Sequence, residues 1–331
     1  MSERAYVPIL IDKQAEMGAL AQISPVVRKR LRPLVVVRSG KNLERQAHED
    51  FSPVQCWGTD EPIMLDTRLL SAKDAGWYLD ACLDVDVRVV PVIALGTPPA
   101  RASVRAVSRS SNGACLRVPR SELSASDSEV RTAVQSTLGL ATVDRSMTDL
   151  VIDLRGVRQD VGIARGIAHS LAEWCSAAGP GWRSVVVAGS AFPEDLRDEV
   201  GNGKREALRR SEITIWRAAL AELGDVDYGD YGVVPCTETK DIPRQGAANM
   251  RFATQDSWIV ERANPPKDDP HTVAFPRLAR SMAATRVFRD MNRDALHCNG
   301  CGFIKAAQGG GSTQWRQAHF VHHFTVAAMQ I

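Results

Sequence analysis

Short runs of apolar, often β-branched residues recur along the chain, and their spacing restricts it to few folds. They are Tyr6-Val7-Pro8-Ile9-Leu10, Leu34-Val35-Val36-Val37, Pro62-Ile63-Met64-Leu65-Asp66 and Val89-Val90-Pro91-Val92-Ile93-Ala94-Leu95. Ala114-Cys115-Leu116-Arg117-Val118, Leu150-Val151-Ile152-Asp153-Leu154, Val185-Val186-Val187-Ala188-Gly189 and the segment from Tyr228 to Val234 complete the series. Several are continuously apolar rather than alternating, as strands covered on both faces are in parallel sheets. Most begin about 30 residues after the one before, the length of one strand–helix unit. Right-handed crossovers repeated eight times close a barrel. The expected fold is α/β, a (β/α)8 TIM-barrel-like core with a C-terminal α+β appendage. A doubly wound open sheet would share the alternation. No Gly-x-Gly-x-x-Gly follows an early run and no P-loop motif is present, which argues against the common nucleotide sites of such sheets.

Helix chemistry fills the gaps. Ser71 is placed to cap a helix over Ala72 to Leu83, with Asp74 in the first turn. Ser126 or Asp127 can cap a second helix whose Val130, Val134 and Leu138 share a face. Gln159 to Ala178 reads as a third, stopped by Gly179-Pro180-Gly181. Lys204 to Leu223 reads as a fourth. After about residue 245 the rhythm breaks. Trp258 to Arg262 reads as a strand, Asn264 to Pro270 as a loop, Phe275 to Asn292 as a helix, Gln308 to Ser312 as a glycine connector, and His322 to Val326 as a final strand. The terminal strand is an alternative eighth barrel strand, with residues 228–262 then an inserted antiparallel unit. The expected division is residues 1–245 for the barrel and 246–331 for an appendage that packs on it without being an independent domain.

The 331 residues suit a barrel of about 250 plus an addition. A net charge of +2 gives no global pull toward nucleic acid or membrane. The local cluster Arg28-Lys29-Arg30 with Arg32 is either a phosphate site or a solvated helix end. Seven scattered cysteines cannot all pair within one chain. The start has no apolar signal core, and no apolar stretch is long enough for a bilayer, so the expectation is a cytoplasmic protein with no membrane partner.

The chain resembles the phage-type "beta protein" family, also found in bacterial genomes. The resemblance rests on Tyr6-Val7-Pro8-Ile9-Leu10 with Lys13 and Glu16, on Ile23-Ser24-Pro25, on Arg32-Pro33-Leu34 and on Pro62 to Leu70. It continues in Gly229-Asp230-Tyr231, in Trp258 to Arg262, and in Thr313 to Ala318 leading into His322-His323. These points span nearly the whole chain. After the second run, where members often carry an acidic residue, this chain has Val37-Arg38. The resemblance implies a single module, an association with phages or mobile elements, and no established activity; anti-phage defence is the setting expected of a binding module.

In a barrel, function gathers where strands end. The third and sixth runs end in the same apolar-Asp-x-Arg pattern, Asp66 with Arg68 and Asp153 with Arg155. Residues two apart in a strand face one side. These four, with Asp230, are the candidate catalytic residues: carboxylates for proton transfer or a divalent metal, guanidiniums for phosphate or carboxylate. The competing reading is structural, ion pairs that close the barrel top. Lys13, Arg117 and Tyr231 are candidate ligand contacts at the same end. Trp315, Arg316 and His322 form either a ligand surface or a buried anchor. Cys298, Cys301, His319 and His323 have the donor set of a tetrahedral zinc site, against the alternative of thiols in a loop and histidines packing on the barrel.

Two functions follow as expectations. One is an enzyme acting on an anionic or phosphate-bearing small molecule at the mouth, with an unknown cofactor set that includes a divalent metal as an option. The other is a non-catalytic binding or sensor module in phage–host conflict, recognising a protein or nucleic acid.

Overall fold

The computed structural model describes residues 4–38, 52–96, 101–158, 160–237, 246–291 and 298–331. Its strands are β1 Tyr6–Ile11, β2 Leu34–Val36, β3 Ile63–Asp66, β4 Val89–Ala94, β5 Ala114–Pro119, β6 Thr148–Gly156, β7 Ser184–Ser190, β8 Arg205–Arg209, β9 Asp227–Asp230, β10 Asn249–Ala253 and β11 Ser257–Arg262. Its longer helices are α1 Gln14–Gln22, α2 Ala72–Asp84, α3 Arg101–Ser110, α4 Asp127–Ala141, α5 Ala164–Ala178, α6 Ser211–Leu223, α7 His271–Ala283, α8 Asn299–Ala306 and α9 Ser312–Gln330.

Eight parallel strands close in the order β1-β2-β3-β4-β5-β6-β7-β9. The fold is thus TIM-barrel-like. β9 seals the ring by pairing Tyr228 with Tyr6 on one side and with Val187 on the other. The alternative in which a terminal strand closes the barrel is therefore overturned, as is the open sheet.

Strand periodicity divides the core in two. Val7, Ile9, Leu34, Val36, Met64, Val90, Val92, Cys115, Val151, Val186 and Ala188 fill the barrel. The alternate residues, among them Tyr6, Leu10, Val35, Leu65, Leu116, Ile152 and Tyr228, face the helices. Ser71 caps α2 through the Asp74 N–H at 3.2 Å, and the Ser126–Glu129 capping box starts α4.

Three expected elements differ. The segment from Lys204 to Leu223 is the strand β8 followed by α6, because Arg205–Arg209 pairs with β11 to make an antiparallel sheet in the order β10-β11-β8. The segment from Phe275 is α7 and then a short helix, Arg286–Met291, with Asn292 outside the described residues. His322 to Val326 is helical and belongs to α9.

α9 is buried over most of its length and lies over the β1–β9 seam. Its His323 and Phe324 pack on Tyr6, and Phe320 approaches Gly232, whose φ is +66°. It thereby covers the eighth strand as the other barrel helices cover theirs. The described residues between that strand and its helix, 231–237, 246–291 and 298–311, form an excursion. They include β10, β11, α7 and α8, whose own apolar core holds Met250, Phe252, Phe275 and Trp315. Among the described residues no helix is long and apolar enough to cross a membrane.

Candidate functional site

β3, β5 and β6 each carry an inward-facing charged residue at their C-terminal ends, in register above Met64, Cys115 and Val151. They are Asp66, Arg117 and Asp153, all at least 98% buried. Arg117 joins them. Its NH1 donates to Asp66 Oδ2 at 2.7 Å, and its Nε and NH2 donate to Asp153 Oδ2 at 3.1 and 2.6 Å. Tyr231, one residue beyond β9, donates its hydroxyl to Asp153 at 2.7 Å and accepts from Arg117 at 2.9 Å.

The repeated Asp-x-Arg pattern has a local cause. Each aspartate ends its strand and accepts the backbone N–H two residues on, Arg68 N at 3.2 Å for Asp66 and Arg155 N at 3.0 Å for Asp153. This turn, and not strand alternation, brings each arginine back over its aspartate. Arg155 takes a φ of +58° to do so. Arg68 forks onto Asp66 at 2.8 and 2.5 Å. Arg155 reaches the Tyr231 hydroxyl and the Cys236 carbonyl, each at 3.3 Å. The side chains of Arg68 and Arg155 remain 40% and 43% exposed, so the buried Asp–Arg–Asp bridge is fringed by two half-exposed guanidiniums.

Electrostatics sets the protonation states. Burial pushes the Asp66 carboxyl up, but the hydrogen bonds and charges of Arg68 and then Arg117 outweigh it and hold it below the usual range. Burial and the Asp153 carboxylate push the Tyr231 phenol up, so it stays a neutral donor. Behind the 231–236 segment lies Arg251, 9% exposed, which donates to the Val233 carbonyl at 2.5 Å and lies over the Phe192 ring. It has no carboxylate partner among the described residues. Burial and the nearby Arg316 lower it to about 9.

Other predicted residues lie elsewhere. Asp230 ends β9 with the same turn, accepting from Gly232 N at 2.8 Å, but its side chain faces outward. There it meets Tyr6 at 2.6 Å, Tyr228 at 2.7 Å, His323 at 2.7 Å and Arg210 at 3.4 Å, all fully or nearly fully buried. It does not join the mouth. The cause is register: Asp230 pairs with Pro8, in the outward phase of β1.

Lys13 is half-buried at the start of α1. Its neighbour Glu16 was not expected as a site residue, yet it is buried and accepts the Ile11 N–H at 2.5 Å. Asp12, also missed, accepts from Arg38 at 3.2 Å, and burial pushes it up to about 6. Its position right after the first strand was the available signal.

Trp315 is fully buried, stacked on Phe275 and edge-on to Phe303, with its indole N–H donating to Gly310. His322 is 2% exposed. Only Arg316 of that trio is exposed, so the expected ligand surface does not form. Of the expected metal set, Cys298 and Cys301 lie together, but the histidine beside them is His322. His319 faces the Met250 sulfur at 3.1 Å and His323 faces Asp230. On α9 the three histidines share one broad face, but each meets a different partner.

Of the basic cluster, Arg32 bridges Asp149 and Asp227 at the opposite, N-terminal end of the barrel, and Arg28 lies over Trp57. These are structural contacts.

The family model described as Beta protein matches residues 6–328 of the chain. No curated protein matches it.

Proposed function

The chain belongs to the Beta protein family, and from that premise and the geometry of the mouth we propose that the barrel's C-terminal end binds an anionic small molecule through Arg68 and Arg155. The observation that carries this reading is the saturation of the two aspartates. The oxygens of Asp66 and Asp153 are all engaged by Arg68, Arg117, Arg155 and Tyr231. Such carboxylates position guanidiniums; they are poorly placed to abstract protons or hold a metal. Half-exposed guanidiniums fixed in this way match the two-pronged geometry of phosphate and carboxylate groups. Arg251, buried near the loops after the seventh and eighth barrel strands without a carboxylate partner among the described residues, adds positive potential in the region where barrels of this class often bind phosphate.

As an enzyme, the site would work by stabilising developing negative charge with its arginines. Phosphate-bearing substrates fit this best. In the phage–host setting that the resemblance implies, the same mouth without turnover would be a sensor for such a molecule.

The test is thermal unfolding of the full chain with inorganic phosphate, pyrophosphate, sugar phosphates and nucleotides, at constant ionic strength. A ligand at about a hundred times its Kd adds about 2.7 kcal/mol, enough to raise the Tm by a few degrees. The expected result is a rise in the wild-type protein that is lost in Arg68→Gln/Arg155→Gln. No rise with any of these anions, or the same rise in the double variant, would remove the proposal. Incubation of the stabilising compound with the protein then separates enzyme from sensor.

A further inference from the structure

We propose that Cys298, Cys301 and His322 form a zinc site that fastens α8 to α9 and shares no residue with the cluster at the barrel mouth. The three ligand atoms all lie within 4.8 Å of one another. His322 Nδ1 is 3.1 Å from the Cys301 sulfur and 3.8 Å from that of Cys298. Two donors on a tetrahedral zinc ion, with bonds of about 2.3 Å to sulfur and 2.0–2.1 Å to nitrogen, stand about 3.6 Å apart. The separations in the protein bracket that value.

The imidazole is oriented for the purpose. His322 Nε2 lies 2.8 Å from the Ala253 carbonyl. A carbonyl can only accept, so Nε2 carries the proton and the Nδ1 lone pair faces the sulfurs. Metal-binding histidines are commonly fixed by such an outer partner. The Phe252 ring stacks on the imidazole at 3.9 Å between centroids and closes one side. The Cys301 backbone N–H donates to the Cys298 sulfur at 3.2 Å, which favours a thiolate there.

The backbone also accommodates the cluster. A Cβ on Gly300 would lie 2.3 Å from the Ala318 carbonyl oxygen and 2.8 Å from His322 N. Glycine between the two cysteines is what lets α8 approach α9 closely enough for both sulfurs to reach one imidazole.

Two thiolates and one imidazole favour zinc over magnesium and calcium, which prefer oxygen donors. The half-buried side of Cys298 leaves the fourth position to water or an exchangeable donor. The ion would tie the excursion, through Ala253 on β10, to the helix that covers the barrel seam.

The full chain, produced with zinc in the medium and dialysed against metal-free buffer, is assayed for metal by elemental analysis. The expected content is about one zinc per chain. It should fall to background in Cys298→Ser/Cys301→Ser and in His322→Ala, and persist in His319→Gln. Cobalt replacement of the wild-type ion gives a second readout that needs no variant: tetrahedral visible bands with a thiolate charge-transfer band in the near ultraviolet. A wild-type chain without zinc or cobalt thiolate bands, or zinc retained by the cysteine double variant, would overturn the proposal. So would a Cys298–Cys301 disulfide in protein prepared under reducing conditions.

Discussion

Arg117 and Asp153 meet inside the barrel mouth through two guanidinium nitrogens, at 3.1 and 2.6 Å, with neither side chain more than 3% exposed. The same guanidinium holds Asp66 at 2.7 Å. Removing one partner from a buried ion pair costs about 3–5 kcal/mol, because the other charge is left without compensation. Arg117→Met leaves Asp66 with Arg68 but takes the guanidinium from buried Asp153, and is expected to cost about that much, read as a lower urea midpoint at unchanged slope. Asp153→Asn keeps shape and a carbonyl acceptor and should cost less. A loss below about 1 kcal/mol for Arg117→Met would mean that water, and not Arg117, satisfies the aspartates.

Asp230 provides the contrast. It shares the strand-end turn of Asp66 and Asp153 but is held on the far side of the sheet by Tyr6, Tyr228, Arg210 and His323. Asp230→Asn is expected to lower the Tm while leaving the anion-induced rise intact. Loss of the anion response at retained stability would place Asp230 in the ligand site after all.

Glu16 gives stability a pH dependence. Burial pushes its carboxyl from 4.5 up to about 7, against the opposing Ile11 N–H and the charge of Lys13. Between those values the folded chain binds more protons than the unfolded chain, so this contribution is largest at low pH and is lost as pH rises from about 4.5 to 7. Every tenfold gain in proton affinity on folding corresponds to about 1.4 kcal/mol. Glu212, pushed up to about 7 first by burial and then by Asp230, acts in the same direction. Glu16→Gln should flatten the fall in the urea midpoint across this window, leaving the share due to Glu212 and to Asp12, which burial also pushes up, to about 6. An unchanged profile would show that Glu16 is ionised in the folded protein at neutral pH.

Gly300→Ala tests the helix contact directly. The added methyl would meet backbone atoms of Ala318 and His322, which cannot rotate away. Overpacking of this kind costs about 1–3 kcal/mol. The expected readout is a lower Tm, together with faster amide exchange at the start of α8. A neutral effect would mean that the two helices separate without penalty.

The barrel was legible because parallel strands buried on both faces need unbroken apolar runs, and Ile63–Asp66, Val89–Ala94 and Ser184–Ser190 follow their runs closely. The aspartates were legible as strand-end charges. Their bridging by Arg117 was not, since it depends on which strands are neighbours and in what register. α9 was misread because it is buried nearly all round, so its histidines, phenylalanines and valines show no amphipathic period and imitate a strand. β8 was missed because Arg205–Arg209 alternates weakly and gains its pairing from β11, more than forty residues later. His322 escaped the metal set for the same reason that α9 escaped detection: the wrong period assigns the wrong face.

The helix that covers the β1–β9 seam has a consequence for how the molecule matures. A ribosome that has delivered all eight barrel strands has still not delivered α9. Until it does, Tyr6 lacks the His323 and Phe324 rings that pack on it, and the outward carboxylate of Asp230 lacks its imidazole neighbour. Burial of the β1–β9 seam therefore waits on translation of the residues in between, and a truncation that removes residues 312–330 is expected to leave that seam uncovered.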